Sequence, residues 1–341
     1  MKQADLKLLL QLFAAGVLVI LIIPAALVFF SGGFGKQGDS DAPNADTLLS
    51  GKIPIPETIE VWLESEQRTE SVEFEDYVCR VTASEMPGDF EPEALKAQSV
   101  AARTYAMARL TAYEEKKPVN HPEAPVCDTT HCQVYRDEES LIDVHAEGWE
   151  DEEWKRVQKA CRETEGQLLY YDGELVKQPL FFSSSGGQTE NSEDVFVSAV
   201  PYLVSVASPY EEDATHRDEE VVLEVADFEE KIKDSYPERE IGDVSIDTIK
   251  ILSRTAGGRV EKIQVGDGAE GILKGTEVRT AAGLSSALFS VSFRDGTKIV
   301  FTSSGSGHGV GMSQYGANGM AKEGYDYEEI LQHYYRGTSV H

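Results

Sequence analysis

The sequence predicts an α+β protein: a single-pass N-terminal transmembrane helix, then an extracytoplasmic mixed α+β domain with a β-rich inserted lobe. Three observations lead there. Residues 8–30 form a 23-residue stretch without a charge. Residues 31–55 are dominated by Gly, Ser, Asp, Pro and Asn, with few large apolar side chains to build a core. Residues 56–341 mix helical and strand periodicity, with neither regular βαβ alternation nor an internal repeat.

The elements follow in order. Leu8–Phe30 is interrupted only by Gln11, Gly16 and Pro24, and at ~1.5 Å per residue it spans a bilayer core of ~30 Å. Leu27-Val-Phe-Phe-Ser-Gly-Gly33 is a poor cleavage site, so the anchor is expected to be retained. Lys2 and Lys7 against Asp5 favour a cytoplasmic N-terminus. The expected location is therefore the cell membrane, with everything after the linker outside. Thr58–Glu64 and Thr69–Phe74 read as a strand pair and His121–Tyr135 as a loop. Trp149–Thr164 reads as a helix, and Gly166–Phe182 as a hairpin turning at Asp172-Gly173. From about 206 to 300, short apolar runs separated by Gly-rich turns suggest the inserted lobe. Ser303–Gly311 is a Gly-rich loop and Tyr325–Tyr335 a last amphipathic helix.

Composition narrows the function. Apolar residues make up 41% and charged residues 27%, as in an ordinary globular protein, but the net charge is −29. Phosphate binding rests on clustered Lys and Arg, and no long basic run follows Lys7, so nucleic acid is excluded as a partner. The excess acid otherwise reads as solubility.

Phe74, Tyr77, Val78, Val81 and Glu85 fall on one helical face. Four are apolar, so Glu85 lies on the buried stripe, and Pro87-Gly88 ends the helix just beyond it. Burial and the negative end of the helix dipole both disfavour its carboxylate. A carboxyl held protonated near neutral pH is what a general acid needs. The alternative is a structural Glu paired with a cation such as Arg103. A second helix opens at Glu91-Pro92-Glu93 and runs to about Leu110; six alanines between Ala94 and Ala108 allow close packing.

Other constellations are open. His121, Cys127, His131 and Cys132 offer up to four soft ligands in a spacing unlike the standard zinc patterns. A structural zinc, a disulfide (Cys127–Cys132 or Cys79–Cys161) and free thiols all remain, and no cofactor is required for chemistry. Ser183, Ser184, Ser185 and Gln188 leave a strand in a run of hydroxyls and glycines, either a solvated turn or a wall that hydrogen-bonds sugar. His308, among alternating glycines, is either a substrate-orienting or a buried structural histidine. The loop lacks the Lys of a phosphate loop, and no Gly-x-Ser-x-Gly elbow supports a serine hydrolase.

Tyr77-Val-x-Arg-Val-x-Ala-Ser-Glu85-Met-Pro and Glu93-Ala-Leu-Lys-Ala-Gln-x-Val-Ala-Ala-Arg-Thr-Tyr-Ala106 closely resemble the core of the stage II sporulation protein D family. Cys127–Tyr135, Phe182–Thr189, Gly307–Ala317 and Tyr334–Val340 match further blocks in order. The resemblance implies a lytic transglycosylase that cuts peptidoglycan glycan strands, already stripped of stem peptides, between N-acetylmuramic acid and N-acetylglucosamine, leaving a 1,6-anhydro end. It implies Glu85 as the catalytic residue and a role in forespore engulfment beside stage II sporulation proteins P and M. The matched blocks offer Arg103, Tyr105, Ser183, Ser184, Ser185, Gln188, His308, Ser313, Gln314 and Tyr315 as substrate contacts. Some members bind a metal near His121, Cys127 and Cys132. The same domain occurs in amidase enhancers, so a glycan-binding module that does not cut is the competing expectation.

Overall fold

The computed structural model describes Ile53–His341 apart from Val197. Strands β1 (Thr58–Leu63) and β2 (Arg68–Glu73) pair antiparallel, Thr58 opposite Glu73 and Leu63 opposite Arg68. Ile59, Val61 and Leu63 alternate inward, as the two-residue period of a strand requires. Helix α1 (Phe74–Glu85) lays Phe74, Tyr77, Val78 and Val81 on that face. Each such fully buried side chain contributes roughly 1.5–3 kcal/mol. Strand β3 (Val126–Cys127) adds to β1 in parallel and so brings the cysteine-bearing loop to the same sheet.

Helix α2 (Pro92–Glu115) runs five residues past the expected end at Leu110. Its buried Ala94, Ala97, Ala101 and Ala102 let neighbours approach closely. After α3 (Glu138–Val144) come α4 (Trp149–Glu163), and, near the C-terminus, α8 (Gln314–Lys322) and α9 (Tyr327–Tyr334), all three packed against α2. Strands β4 (Leu169–Tyr171) and β5 (Glu174–Leu175) form the expected hairpin, with Asp172 and Gly173 both at positive φ (53° and 81°), the conformation a two-residue turn favours. The last strand, β14 (Thr338–Val340), pairs with β4. The expected hairpin stops there. Strand β6 (Phe181–Phe182) instead pairs in parallel with β13 (Met312–Ser313), far along the chain. Between them lies the short α5 (Ser192–Val195).

The residues from Glu219 to Ser303 build their own core. Strands β7 (Glu219–Glu224), β11 (Phe289–Arg294) and β12 (Lys298–Ser303) form one antiparallel sheet in the order β11-β12-β7. Strands β8 (Lys250–Arg254), β9 (Val260–Gln264) and β10 (Ile272–Lys274) form a second. Phe228 and Phe289 pack edge-on to Phe301 at 5.2 and 5.6 Å. Two helices, α6 (Val225–Ser235) and α7 (Gly275–Ala282), belong to this core, so it is mixed rather than merely β-rich.

One expectation is corrected. No helix among the described residues is long and apolar enough to cross a membrane. The longest, α2, carries Glu93, Lys96, Arg103, Arg109, Glu114 and Glu115. The single-pass fold class, and the cell-membrane location with an extracytoplasmic domain that followed from it, are therefore replaced by a mixed α+β architecture. The stretch 8–30 on which they rested, and the linker up to residue 52, lie outside the described residues.

Candidate active site

Glu85 ends α1 because Met86 is extended (φ −131°, ψ 136°) and Pro87 follows. Its side chain is half-buried. Oε1 accepts a 2.7 Å hydrogen bond from the Val134 N–H, while Oε2 has no such partner among the described residues. Burial raises the carboxyl above its ordinary value; the Val134 N–H and the Arg136 charge pull the other way without cancelling it. The loop that brings Val134 here is well anchored. Tyr135 stacks on Tyr77 at 5.4 Å, and its hydroxyl accepts from Arg80 Nη1 at 2.8 Å. Gln133 Nε2 donates to Tyr77 Oη and to the Ala102 carbonyl.

Arg103 is not near-neighbour to Glu85. It is fully buried and grips Glu75, Nε to Oε1 at 2.8 Å and Nη2 to Oε2 at 2.6 Å, and its Nη1 donates to the Gln167 carbonyl. The alternative of a Glu85–Arg103 pair falls, and with it the expectation of Arg103 as a substrate contact: its guanidinium is spent inside the protein. Tyr105, two residues on, is buried with the Arg109 guanidinium 4.8 Å above its ring. It lines a cavity of about 720 Å³ with Arg109, Lys177, Gln178 and Phe196. The room comes from Ala108 and Ala112, small residues on the same face of α2.

The metal candidates do converge. The ligand atoms of His121, Cys127, His131 and Cys132 all lie within 4.8 Å of one another. Cys132 Sγ is 3.4 Å from His121 Nε2 and 3.7 Å from His131 Nδ1. His121 Nδ1 lies 2.9 Å from the Ala124 carbonyl, which orients the ring with Nε2 toward the cluster. The turn closed by the Cys132 N–H on the Thr129 carbonyl lets adjacent His131 and Cys132 both reach it. All four cysteines of the chain are free thiols. Hydrogen bonds, first from Cys132 and then from Thr129 and His131, hold the Cys127 thiol below its ordinary value against burial. Two sulfurs and two imidazoles at this spacing suit a tetrahedral zinc ion.

The serine and glycine blocks meet at a second centre. Ser313, at the end of β13, sits beside Ser183 through the β6–β13 pairing, and the Tyr315 N–H donates to the Ser183 carbonyl at 3.0 Å. Glu211 organises both walls: its buried carboxylate accepts from the Ser185 and Gly186 N–H groups at 2.9 Å and from the Ser208 and Ser313 hydroxyls. Ser184 is buried and Gln188 exposed, its amide on Ser205 Oγ at 2.9 Å. Gln314 turns inward to Gln98 of α2, and the Tyr315 ring meets Phe90 edge-on at 5.1 Å. His308 packs between Phe182 and Phe196 at 5.5 and 5.7 Å, with Nδ1 accepting from the Val310 N–H. Burial, then the Arg259 charge, lower it to about 4, so it is neutral at physiological pH.

Beneath this centre Glu190 and Arg259, 0% and 3% exposed, pair at 3.3 Å, and Arg259 Nη2 donates to the Ser185 carbonyl. Gly309 lies over the guanidinium: a Cβ there would stand 2.4 Å from Arg259 Cζ, and φ is +88°. Sequence reasoning missed Glu211 and Arg259. Glu211 sits in an acidic run, 211–213, that reads as solvated surface, and Arg259 is one basic residue of a lobe remote in sequence.

A family model described as "Stage II sporulation protein" matches residues 64–171. Stage II sporulation protein D of Bacillus subtilis (strain 168) is 36% identical over 297 residues, covering 87% of this chain and 81% of the relative. The protein of the same description from Bacillus amyloliquefaciens is 36% identical over 295 residues, 86% of this chain and 80% of the relative. An amidase enhancer of Bacillus subtilis (strain 168) is 29% identical over 305 residues, 76% of this chain and 39% of that protein. With the motif blocks of the sequence gathered around two connected centres and that extent of likeness, the chain belongs to the stage II sporulation protein D family, a family of sporulation proteins.

Proposed function

We propose that this protein is a lytic transglycosylase of peptidoglycan glycan strands, with Glu85 as its single acid and base. The observation that carries the reading is the state of that carboxyl: raised by burial, anchored through Oε1 and open at Oε2. A protonated Glu85 donates to the glycosidic oxygen as the bond from N-acetylmuramic acid to N-acetylglucosamine breaks. The resulting carboxylate then accepts the proton of the muramyl 6-hydroxyl as that oxygen closes on C1, giving the 1,6-anhydro end. No second carboxylate is needed, because the sugar supplies its own nucleophile, and its acetamido group helps to stabilise the oxocarbenium-like centre. His308, neutral and wedged between Phe182 and Phe196, holds the serine and glycine blocks in place without carrying charge.

His121, Cys127, His131 and Cys132 would hold a zinc ion. Bound there, it supplies structural rigidity, and the residues it fixes are those of the loop that delivers the Val134 N–H to Glu85.

The test is product analysis on purified glycan. Wild-type protein should release anhydro-terminated fragments, and Glu85→Gln should lose ~10²–10⁴-fold in rate, the range of general acid–base catalysis, at unchanged melting temperature. The likeness to an amidase enhancer supports a second reading, in which the protein holds glycan without cutting it. Wild-type protein that binds glycan and releases no anhydro product would establish that reading and end the first.

A further inference from the structure

Four cations gather around the C-terminal half of α2. Arg109 and Lys177 line the cavity of about 720 Å³, and Arg109 also borders a neighbouring cavity of about 350 Å³, which Lys116 and Lys117 line beside Cys132. None of the four makes an ion pair among the described residues, although the chain holds 60 acidic residues against 31 basic ones. Aromatic rings fix two of them without neutralising them. The Arg109 guanidinium stands 4.8 Å from the centre of the buried Tyr105 ring. Lys117 Nζ lies 5.3 Å from the Tyr113 ring, whose hydroxyl donates to the Pro122 carbonyl at 3.0 Å. A cation held on a ring keeps its charge and its N–H donors for a further partner.

The rest of the larger cavity limits what that partner is. Leu175, Leu180 and Phe196 offer apolar faces, Gln178 an amide, and Glu115 and Glu174 two carboxylates. A densely charged polyanion would be repelled by those two acids and by the field of a chain at −29. Single carboxylates spaced along a neutral body suit the same lining. The guanidinium fork matches a carboxylate, the apolar side chains cover a sugar face, and the two acids accept from hydroxyls. We propose that Arg109 and Lys177 form a subsite for the free carboxylates of an acidic saccharide, and that the group bound is the lactyl carboxylate of N-acetylmuramic acid. This rests on the reading of the protein as one that acts on peptidoglycan glycan. A strand whose carboxylates are masked as amides leaves both cations without their partner and binds more weakly.

The experiment uses the full chain carrying Glu85→Gln, so that glycan is not consumed, in calorimetric titrations with three ligands. These are peptide-free glycan oligosaccharides, the same oligosaccharides with their carboxylates converted to amides, and poly(glycerol phosphate). The free-carboxylate form should bind roughly 10–100-fold more tightly than the amide form, the worth of one charge-assisted contact. Arg109→Gln and Lys177→Gln should each lose most of that preference; both positions are exposed, so the substitutions should leave the melting temperature unchanged. Equal binding of the two glycan forms, or a preference that survives both substitutions, overturns the proposal. Tighter binding of poly(glycerol phosphate) overturns it too, and assigns the cations to a phosphodiester polymer. Assaying the wild-type protein for anhydro ends separates this subsite from the reaction. The preference without cleavage leaves the subsite standing, and cleavage without the preference removes the subsite alone.

Discussion

Arg259→Met removes the cation from a pair in which Glu190 is 0% and Arg259 3% exposed. Glu190 keeps only the Thr255 hydroxyl on Oε1 at 2.9 Å, and its Oε2 already has no hydrogen-bond partner. Breaking a buried pair from one side typically costs about 3–5 kcal/mol, because the surviving charge is left uncompensated. The Ser185 and Gln188 carbonyls lose donors as well, which places the expected loss at the upper part of that range. Domains are stable by about 5–15 kcal/mol, so the variant should be folded but severely weakened. Urea denaturation of wild type, Arg259→Met and the double variant Arg259→Met/Glu190→Met measures it. An unchanged slope against denaturant would show that the two folded states expose the same surface on unfolding. The double variant should recover most of the loss, since two apolar side chains of similar volume carry no unpaired charge. A loss below about 1 kcal/mol in Arg259→Met, or a double variant no better than the single, would refute the reasoning.

Protein purified without chelator should contain one zinc per chain, and Cys132→Ala or His121→Ala should lower both zinc content and melting temperature, read by elemental analysis and calorimetry. His308 is depressed to about 4 from an ordinary 6.5, so the unfolded chain binds a proton there that the folded chain refuses. Stability should thus be full above about pH 6.5 and fall toward pH 4 by up to about 3 kcal/mol, at 1.36 kcal/mol per unit. His308→Gln should lose that part of the pH slope in chemical denaturation. The cleavage rate should decline as pH rises through the raised titration of Glu85, with Val134→Pro, which deletes the N–H, shifting that decline upward.

The helix of Glu85 was legible because everything that forms it is local: Phe74, Tyr77, Val78 and Val81 set the face and Pro87 the end. The burial that raises its carboxyl was legible for the same reason. Its hydrogen bond from Val134 was not, since that contact joins residues 49 apart. The Cys/His cluster was half visible. Adjacent His131 and Cys132 look ill-suited to one shell until the Thr129–Cys132 turn is seen. Arg103 misled, because a conspicuous basic residue in a motif is equally what a buried Glu75 partner looks like. Glu211 was beyond reach: its ligands, at Ser185, Ser208 and Ser313, come from three separated segments, and only the β6–β13 pairing brings two of them side by side. The helices of the lobe were lost in its Gly-rich texture, although Gly275 and Gly283 in fact bracket one of them.

The pairing of β7 with β12 places Glu219 opposite Ser303, so the chain leaves the main body and returns to it at one point. Between those residues the lobe is tied back to the main body through Arg259 and Thr255, both on the Glu190 carboxylate. Lengthening, trimming or exchanging that excursion leaves the separation of its two ends unchanged, and closing a longer loop costs only slowly more entropy. A change in the size of this lobe should therefore leave both serine-bearing walls in register, provided that Arg259 still reaches Glu190.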